Sequence, residues 1–159
     1  MEDKTVIIIG GGAAGMMACA AAAKRVKKVV LIEKNNILGK KLRITGKGRC
    51  NITNNAPIED FIANVPTNGK FLYSAFYDFT NEDVIKMFED SGVKTKVERG
   101  ERVFPVSDSA KDVADAMKKN ALLPNVKWVR AAAENLIIKD GSVCGVKTHP
   151  RLCLCRFSH

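Results

Sequence analysis

Histidine is missing from the body of this 159-residue chain: both copies, His149 and His159, lie in the last eleven residues. That excludes a histidine-based hydrolase, because no Ser/His/Asp or Cys/His arrangement can be drawn from residues 1–148. Aromatic residues are also scarce, at 6% with a single tryptophan. No helix-turn-helix, zinc-finger or RNP-type aromatic pattern supports a nucleic-acid module. The opening Met-Glu-Asp-Lys lacks the basic start of a secretory signal. Five cysteines, an odd number without a regular framework, fit a reducing compartment, and the expectation is a cytoplasmic protein.

What is present is a globular composition, 46% hydrophobic and 27% charged, with a formal charge of +9. The charge is local. Residues 1–50 carry 11 Lys and Arg against 3 Asp and Glu, whereas residues 51–148 carry 13 against 14. Any anion is therefore expected to meet the first fifty residues. Thr5 to Ala23 is uncharged for 19 residues, long enough to raise a membrane span. Gly10-Gly11-Gly12 interrupts it, and a strand, a glycine turn and an alanine-rich helix account for it better. No membrane partner is expected.

Val6–Ile9 is a β-branched run typical of a strand buried on both faces, Ala13–Lys24 a helix, and Val29–Glu33 a second buried strand. Strand, helix, strand within about thirty residues makes a parallel βαβ unit. Asn35–Asn55 is a long excursion rich in Gly, Lys and Asn. Helices are expected near 59–64, 70–79, 81–91 (capped by Asn81) and 109–121 (capped by Ser107 or Asp108). Short strands are expected at 93–98, 103–106 and 126–130. Asp140-Gly141 is a hairpin turn between 136–139 and 142–147. The fold class is α/β: a Rossmann-like, incomplete parallel sheet with an inserted α+β segment. The dinucleotide-binding domain is assigned to 1–55 with 125–148, and the insertion to 56–124. The remaining 149–159 break composition and read as an anomalous, disordered tail.

Gly10-Gly11-Gly12-Ala13-Ala14-Gly15 matches G-x-G-x-x-G after a strand and at a helix start, with Glu33 at the end of the next strand. In that context Gly10 makes the tight turn, Gly12 admits a pyrophosphate and Gly15 lets helix and strand approach. N–H groups at the helix start, from Ala13 onward, hold phosphates. Glu33 accepts from ribose hydroxyls and disfavours a 2′-phosphate, so NADP is not expected in this turn. NAD, FAD and, more loosely, S-adenosylmethionine remain open on the fingerprint. A second glycine–cation loop, Lys34–Lys41 with Thr45–Asn51, favours FAD, whose extended pyrophosphate and ribityl chain need further contacts.

The motifs Gly10–Gly15, Glu33-Lys34, Leu38-Gly-Lys-Lys41, Thr45-Gly-Lys-Gly-Arg-Cys-Asn51, Phe71-Leu-Tyr-Ser74 and Arg102-Val-Phe-Pro-Val-Ser107 occur in order. Over about residues 4–148 the chain resembles the BaiN-like, or aminoacetone-oxidase-like, family of FAD-binding oxidoreductases. The resemblance implies FAD as cofactor, with NAD(P)H as a possible donor in the full-length family and a small-molecule substrate of unknown identity. It makes Gly10, Gly12, Ala13, Ala14, Gly15, Glu33, Lys34, Lys40, Arg49, Cys50 and Asn51 the candidate cofactor contacts, and it nominates no catalytic residue. Family members continue into an Ala-Thr-Gly-Gly strand and a substrate-side region beyond the hairpin. Without them the chain itself is expected to turn nothing over, and the first strand and the helices at 81–91 and 109–121 are expected to be partly exposed.

Cys50 is expected to pack rather than react, and Cys19 and Cys144 to lie in the core. No metal site is expected: His149, Cys153, Cys155 and His159 have unusual zinc spacing. Phe71, Tyr73, Phe76, Tyr77 and Phe79 have helical spacing and are expected in the core.

Overall fold

A computed structural model describes residues 1–149. It divides into two compact units, one of Met1–Lys41 with 117–149, the other of Leu42–Ala116. These divisions differ from the expected 55/56 and 124/125. Residues 42–55 join the second unit because β3 (Thr53–Asn54) pairs antiparallel with β5 (Arg102–Pro105), and the Ile52 N–H donates to the Val103 carbonyl at 2.8 Å. No helix among the described residues is long and apolar enough to cross a membrane.

In the first unit β1 (Glu2–Ile9), β2 (Val26–Glu33) and β6 (Val126–Arg130) form a parallel sheet in the order β1-β2-β6. Ile7 is in register with Val30, and Val30 with Lys127. The β-branched runs favour the pleat, but only β2, paired on both sides, buries its whole run Val29–Ile32. At the edge, β1 leaves Val6–Ile8 half-buried and Ile9 55% exposed, so the expectation of burial on both faces fails there. The partial exposure of its apolar residues is the expectation that holds.

Helix α1 (Ala13–Ala23) packs on β1 and β2 and buries Met16, Cys19 and Ala23. Asn125 closes its far end: the side-chain amide donates to the Ala23 and Val26 carbonyls, each at 2.9 Å. β7 (Ala132–Lys139) and β8 (Ser142–His149) make the hairpin. Asp140 (φ 49°) and Gly141 (φ 74°) are both left-handed, as a two-residue turn between twisted strands requires. Val146 packs with Val30, Ile32 and Ala131 on the β2 face opposite Val29 and Leu31. Cys144 is half-buried rather than core: it falls at the register shift between the Ile137–Gly145 and Ile138–Val143 pairs, where the ladder is broken.

The second unit has the antiparallel order β3-β5-β4, with β4 at Thr95–Glu98, and carries α2 (Ile58–Ala63), α3 (Tyr73–Asp78) and α4 (Asn81–Asp90). Thr80, not Asn81, caps α4 through a reciprocal box with Asp83. Asn81 instead lies buried and donates to the Asn54 and Ala56 carbonyls at 2.8 and 3.0 Å. The division between units falls within α5 (Ala110–Ala121). Its cap is Ser109, whose Oγ accepts the Asp112 N–H at 3.4 Å, rather than Ser107 or Asp108. The apolar face of α5 is buried at Ala110, Val113, Ala114 and Met117, against the expected exposure.

The aromatic cluster also departs from expectation. Phe71, Tyr73, Tyr77 and Phe79 are exposed, Phe71 at 79%. The segment breaks into a 3₁₀ turn, Gly69–Leu72, and the six-residue α3, so helical spacing never becomes one continuous buried face.

Candidate functional site

The first unit gathers one arrangement suited to an anionic ligand. Gly10 leaves β1 at φ +102°, and its N–H donates to the Ile32 carbonyl at 2.8 Å, which pins the turn to β2. A Cβ on Gly15 would run into the Gly10 carbonyl, so only glycine lets the first turn of α1 come this close. Gly12 is different: nothing lies within 4 Å of where its Cβ would stand. It is the N-cap of α1, extended and without a capping side chain, and Ala13 and Ala14 beside it are exposed. The positive end of an eleven-residue helix therefore opens onto free space.

Glu33 stands beside that turn. Its Oε2 accepts the Gly11 N–H at 2.6 Å, and Oε1 accepts the Asn35 N–H at 2.8 Å and its side-chain amide at 2.5 Å. Partial burial works against the charge, yet the donors from Asn35 and Gly11 prevail and hold the carboxyl below its usual range. A carboxylate has about four acceptor positions, so three bonds leave one for a ligand hydroxyl.

The chain then folds back over the turn. Leu38 is buried where a Cβ on Gly11 would collide with it, and the Gly39 N–H donates to the Gly11 carbonyl at 2.8 Å. Lys34 and Lys40 are exposed on either side of this return. Gly10, Gly12, Ala13, Ala14, Gly15, Glu33, Lys34 and Lys40 thus all belong to one unit. Three residues of this arrangement, Gly11, Asn35 and Leu38, lie within the motifs read from the sequence but are not among the candidate cofactor contacts.

Arg49, Cys50 and Asn51 belong to the second unit. Gly46 and Lys47 are left-handed (φ 55° and 56°), as is Cys50 (φ 61°). The Cys50 N–H donates to the Thr45 carbonyl at 3.0 Å. Its side chain is buried, which pushes the thiol up rather than down. Arg49 is engaged by Glu98 and Asp108, and Asn51 is exposed. Among the described residues no three His, Cys, Asp or Glu side chains gather as a metal site would need. Of the tail residues, only His149 is among those described.

The model of the HI0933-like protein Rossmann domain matches residues 4–155. The chain belongs to the HI0933-like family. The match runs past Thr148, where the family pattern was expected to stop. FAD is the cofactor of this family, whose members are oxidoreductases. Over 97 residues the chain is 34% identical to 3-dehydro-bile acid delta(4,6)-reductase of Clostridium scindens, covering 61% of this chain and 23% of that protein.

Among solved structures, THI4 of Thermovibrio ammonificans is similar at TM-score 0.60 and 16% identity, over 92% of this chain and 48% of that one. The open form of a flavocytochrome c3 fumarate reductase gives 0.57 and 19%, over 93% and 30%. Glycine oxidase from Bacillus cereus gives 0.54 and 15%, over 98% and 53%. These likenesses establish a Rossmann-type fold for this family member. The chain spans under a quarter of its curated relative and about half or less of two of these structures.

The residues present fit the family's cofactor. The space at Gly12 is where a side chain would otherwise stand, and a carboxylate with a spare acceptor position lies at the end of the adjacent strand.

Proposed function

We propose that this chain holds the ADP half of FAD within an FAD-dependent oxidoreductase. The observation that carries the reading is the open space at Gly12, over an uncapped helix start and next to Glu33. The N–H groups of Ala13, Ala14 and Gly15 take the pyrophosphate, Gly10 shapes the turn, and Glu33 takes a ribose hydroxyl. Lys34 and Lys40 add positive charge next to the phosphates. The Thr45–Asn51 loop supplies cofactor contacts of its own through Cys50 and Asn51, with Arg49 beside them.

When bound, FAD provides the electron-accepting chemistry, which explains why the chain needs no histidine base. NAD(P)H is the proposed electron donor and a small molecule the proposed substrate. The free thiols Cys19, Cys50 and Cys144 favour the cytoplasm as its compartment. Neither nucleic acid nor membrane enters this reading.

The test is titration of the purified protein with FAD, followed by quenching of flavin fluorescence. Saturable binding that Gly12→Val abolishes is the expected result. Equal binding by wild type and Gly12→Val would refute the site, and preference for NAD over FAD would refute the cofactor.

A further inference from the structure

Arg49 lies in the Thr45–Asn51 loop, yet its charge is already spent within its own unit. Its Nη2 pairs with Glu98 Oε1 and also approaches Asp108 Oδ1 at 2.6 Å, while its Nε donates to that same Asp108 oxygen at 2.8 Å. Lys96 closes the array, 2.8 Å from Asp108 Oδ2 and 3.5 Å from Glu98 Oε1. Two cations thus face two carboxylates, and the group is neutral as a whole. The guanidinium also lies 4.2 Å from the centroid of the buried Phe104 ring.

The same ring sits under Gly46. A Cβ there would stand 3.2 Å from Phe104 Cε1 and 2.9 Å from the Asn51 nitrogen. Gly46, Arg49 and Phe104 therefore form one stack that ties the loop to β4, β5 and the turn before α5.

We propose that Arg49 is a positioning residue and not a phosphate ligand. It clamps the Thr45–Asn51 loop through Glu98 and Asp108, so that the loop backbone is held ready for the cofactor. The proposal rests on the FAD reading for its purpose but not for its geometry. Glu98 and Asp108 take the Nε and Nη2 side of the guanidinium and offset its charge, so a phosphate approaching Nη1 would meet a group already neutralised. Cys50, buried directly after Arg49 at positive φ, reports whether the clamp is closed.

The experiment compares Arg49→Ala, Arg49→Lys, Asp108→Asn and Glu98→Gln/Asp108→Asn in the full chain. Folding is checked by circular dichroism. Cys50 alkylation without flavin is followed by peptide mass mapping, and the Kd for FAD is measured.

Arg49→Ala and the double carboxamide variant should each raise the Cys50 rate at least tenfold and weaken FAD about tenfold. Combining them should add nothing further, since both open the same clamp. Arg49→Lys, which cannot bridge both acids, should recover only part of either effect. Arg49→Ala leaves the array with a net negative charge and the double variant leaves it positive, so a loss of FAD affinity shared by both comes from the loop and not from the charge.

The proposal is overturned if the double variant leaves Cys50 protected and binds FAD as well or better, while Arg49→Ala alone loses binding. Should Arg49→Ala fail to fold, Asp108→Asn at its exposed position decides by the same two readouts. A wild-type chain that takes up no FAD would sink the cofactor reading, while the Cys50 rates would still decide the clamp.

Discussion

Glu33 Oε2 accepts the backbone N–H of Gly11 at 2.6 Å, a bond across 22 residues that joins the acid ending β2 to the middle of the glycine turn. Glu33 therefore braces the turn before any ligand arrives. Glu33→Ala is expected to act twice. It removes a ribose acceptor, weakening FAD by roughly 1–3 kcal/mol, and it strips the Gly11 and Asn35 donors, costing about 1–3 kcal/mol of stability. Parallel FAD titration and urea unfolding separate the two, and a loss of affinity at wild-type stability would show that the brace is idle.

The pH dependence follows from the same bonds. The folded-state pKa of Glu33 is lowered, so its contribution is fully present above the unfolded carboxylate pKa and is lost as pH falls through the folded one. Thermal melts from neutral pH to about pH 2 should show this loss on the acid side. Glu33→Gln, which cannot titrate, should be less steep there; identical acid limbs would assign the loss to other carboxylates.

Two neighbouring glycines should respond in opposite ways. A Cβ at Gly11 meets Leu38 and Glu33, so Gly11→Ala should cost about 1–3 kcal/mol of stability. Gly12 faces open space at φ −79°, so Gly12→Val should melt close to wild type and yet fail to hold FAD. Calorimetry with flavin titration distinguishes them, and equal melting losses would mean that the space at Gly12 is not open.

Much of the first unit was legible because its signals are local. The glycine spacing, the β-branched runs and Asp140-Gly141 each fix backbone geometry within a few residues, and the βαβ unit with its hairpin follows. What was not legible depends on partners far along the chain. Arg49 reads as a free cation until β4 and the segment before α5 bring in Glu98 and Asp108, 49 and 59 residues away. Likewise Thr80 displaced Asn81 as the cap because Asn81 is drawn off by the carbonyls of Asn54 and Ala56. The exposed aromatics follow from a helix broken at Leu72, which spacing alone does not announce.

Cysteine reactivity should track burial. Cys19, fully buried against the sheet, has its thiol pushed up to about 11 by desolvation, whereas Cys144 is half-buried in the hairpin. At pH 8, iodoacetamide should label Cys144 well before Cys19, as read by peptide mapping. Prompt labelling of Cys19 would mean that α1 does not stay docked.

Asn125→Ala should destabilise by about 1–3 kcal/mol, since the Ala23 and Val26 carbonyls lose their donor together. Unfolding by denaturant measures it. A change under about 0.3 kcal/mol would show that water replaces the amide at no cost.

The order β1-β2-β6 also sets a schedule for the nascent chain. β2 gains its second neighbour only when β6 arrives, and 92 residues lie between Glu33 and Val126. At ~5–20 residues per second, a ribosome takes about 5–20 s to make them. For that interval the apolar run Val29–Ile32 has an unpaired edge. The second unit, Leu42–Ala116, thus sets most of the time for which this edge stays open during synthesis.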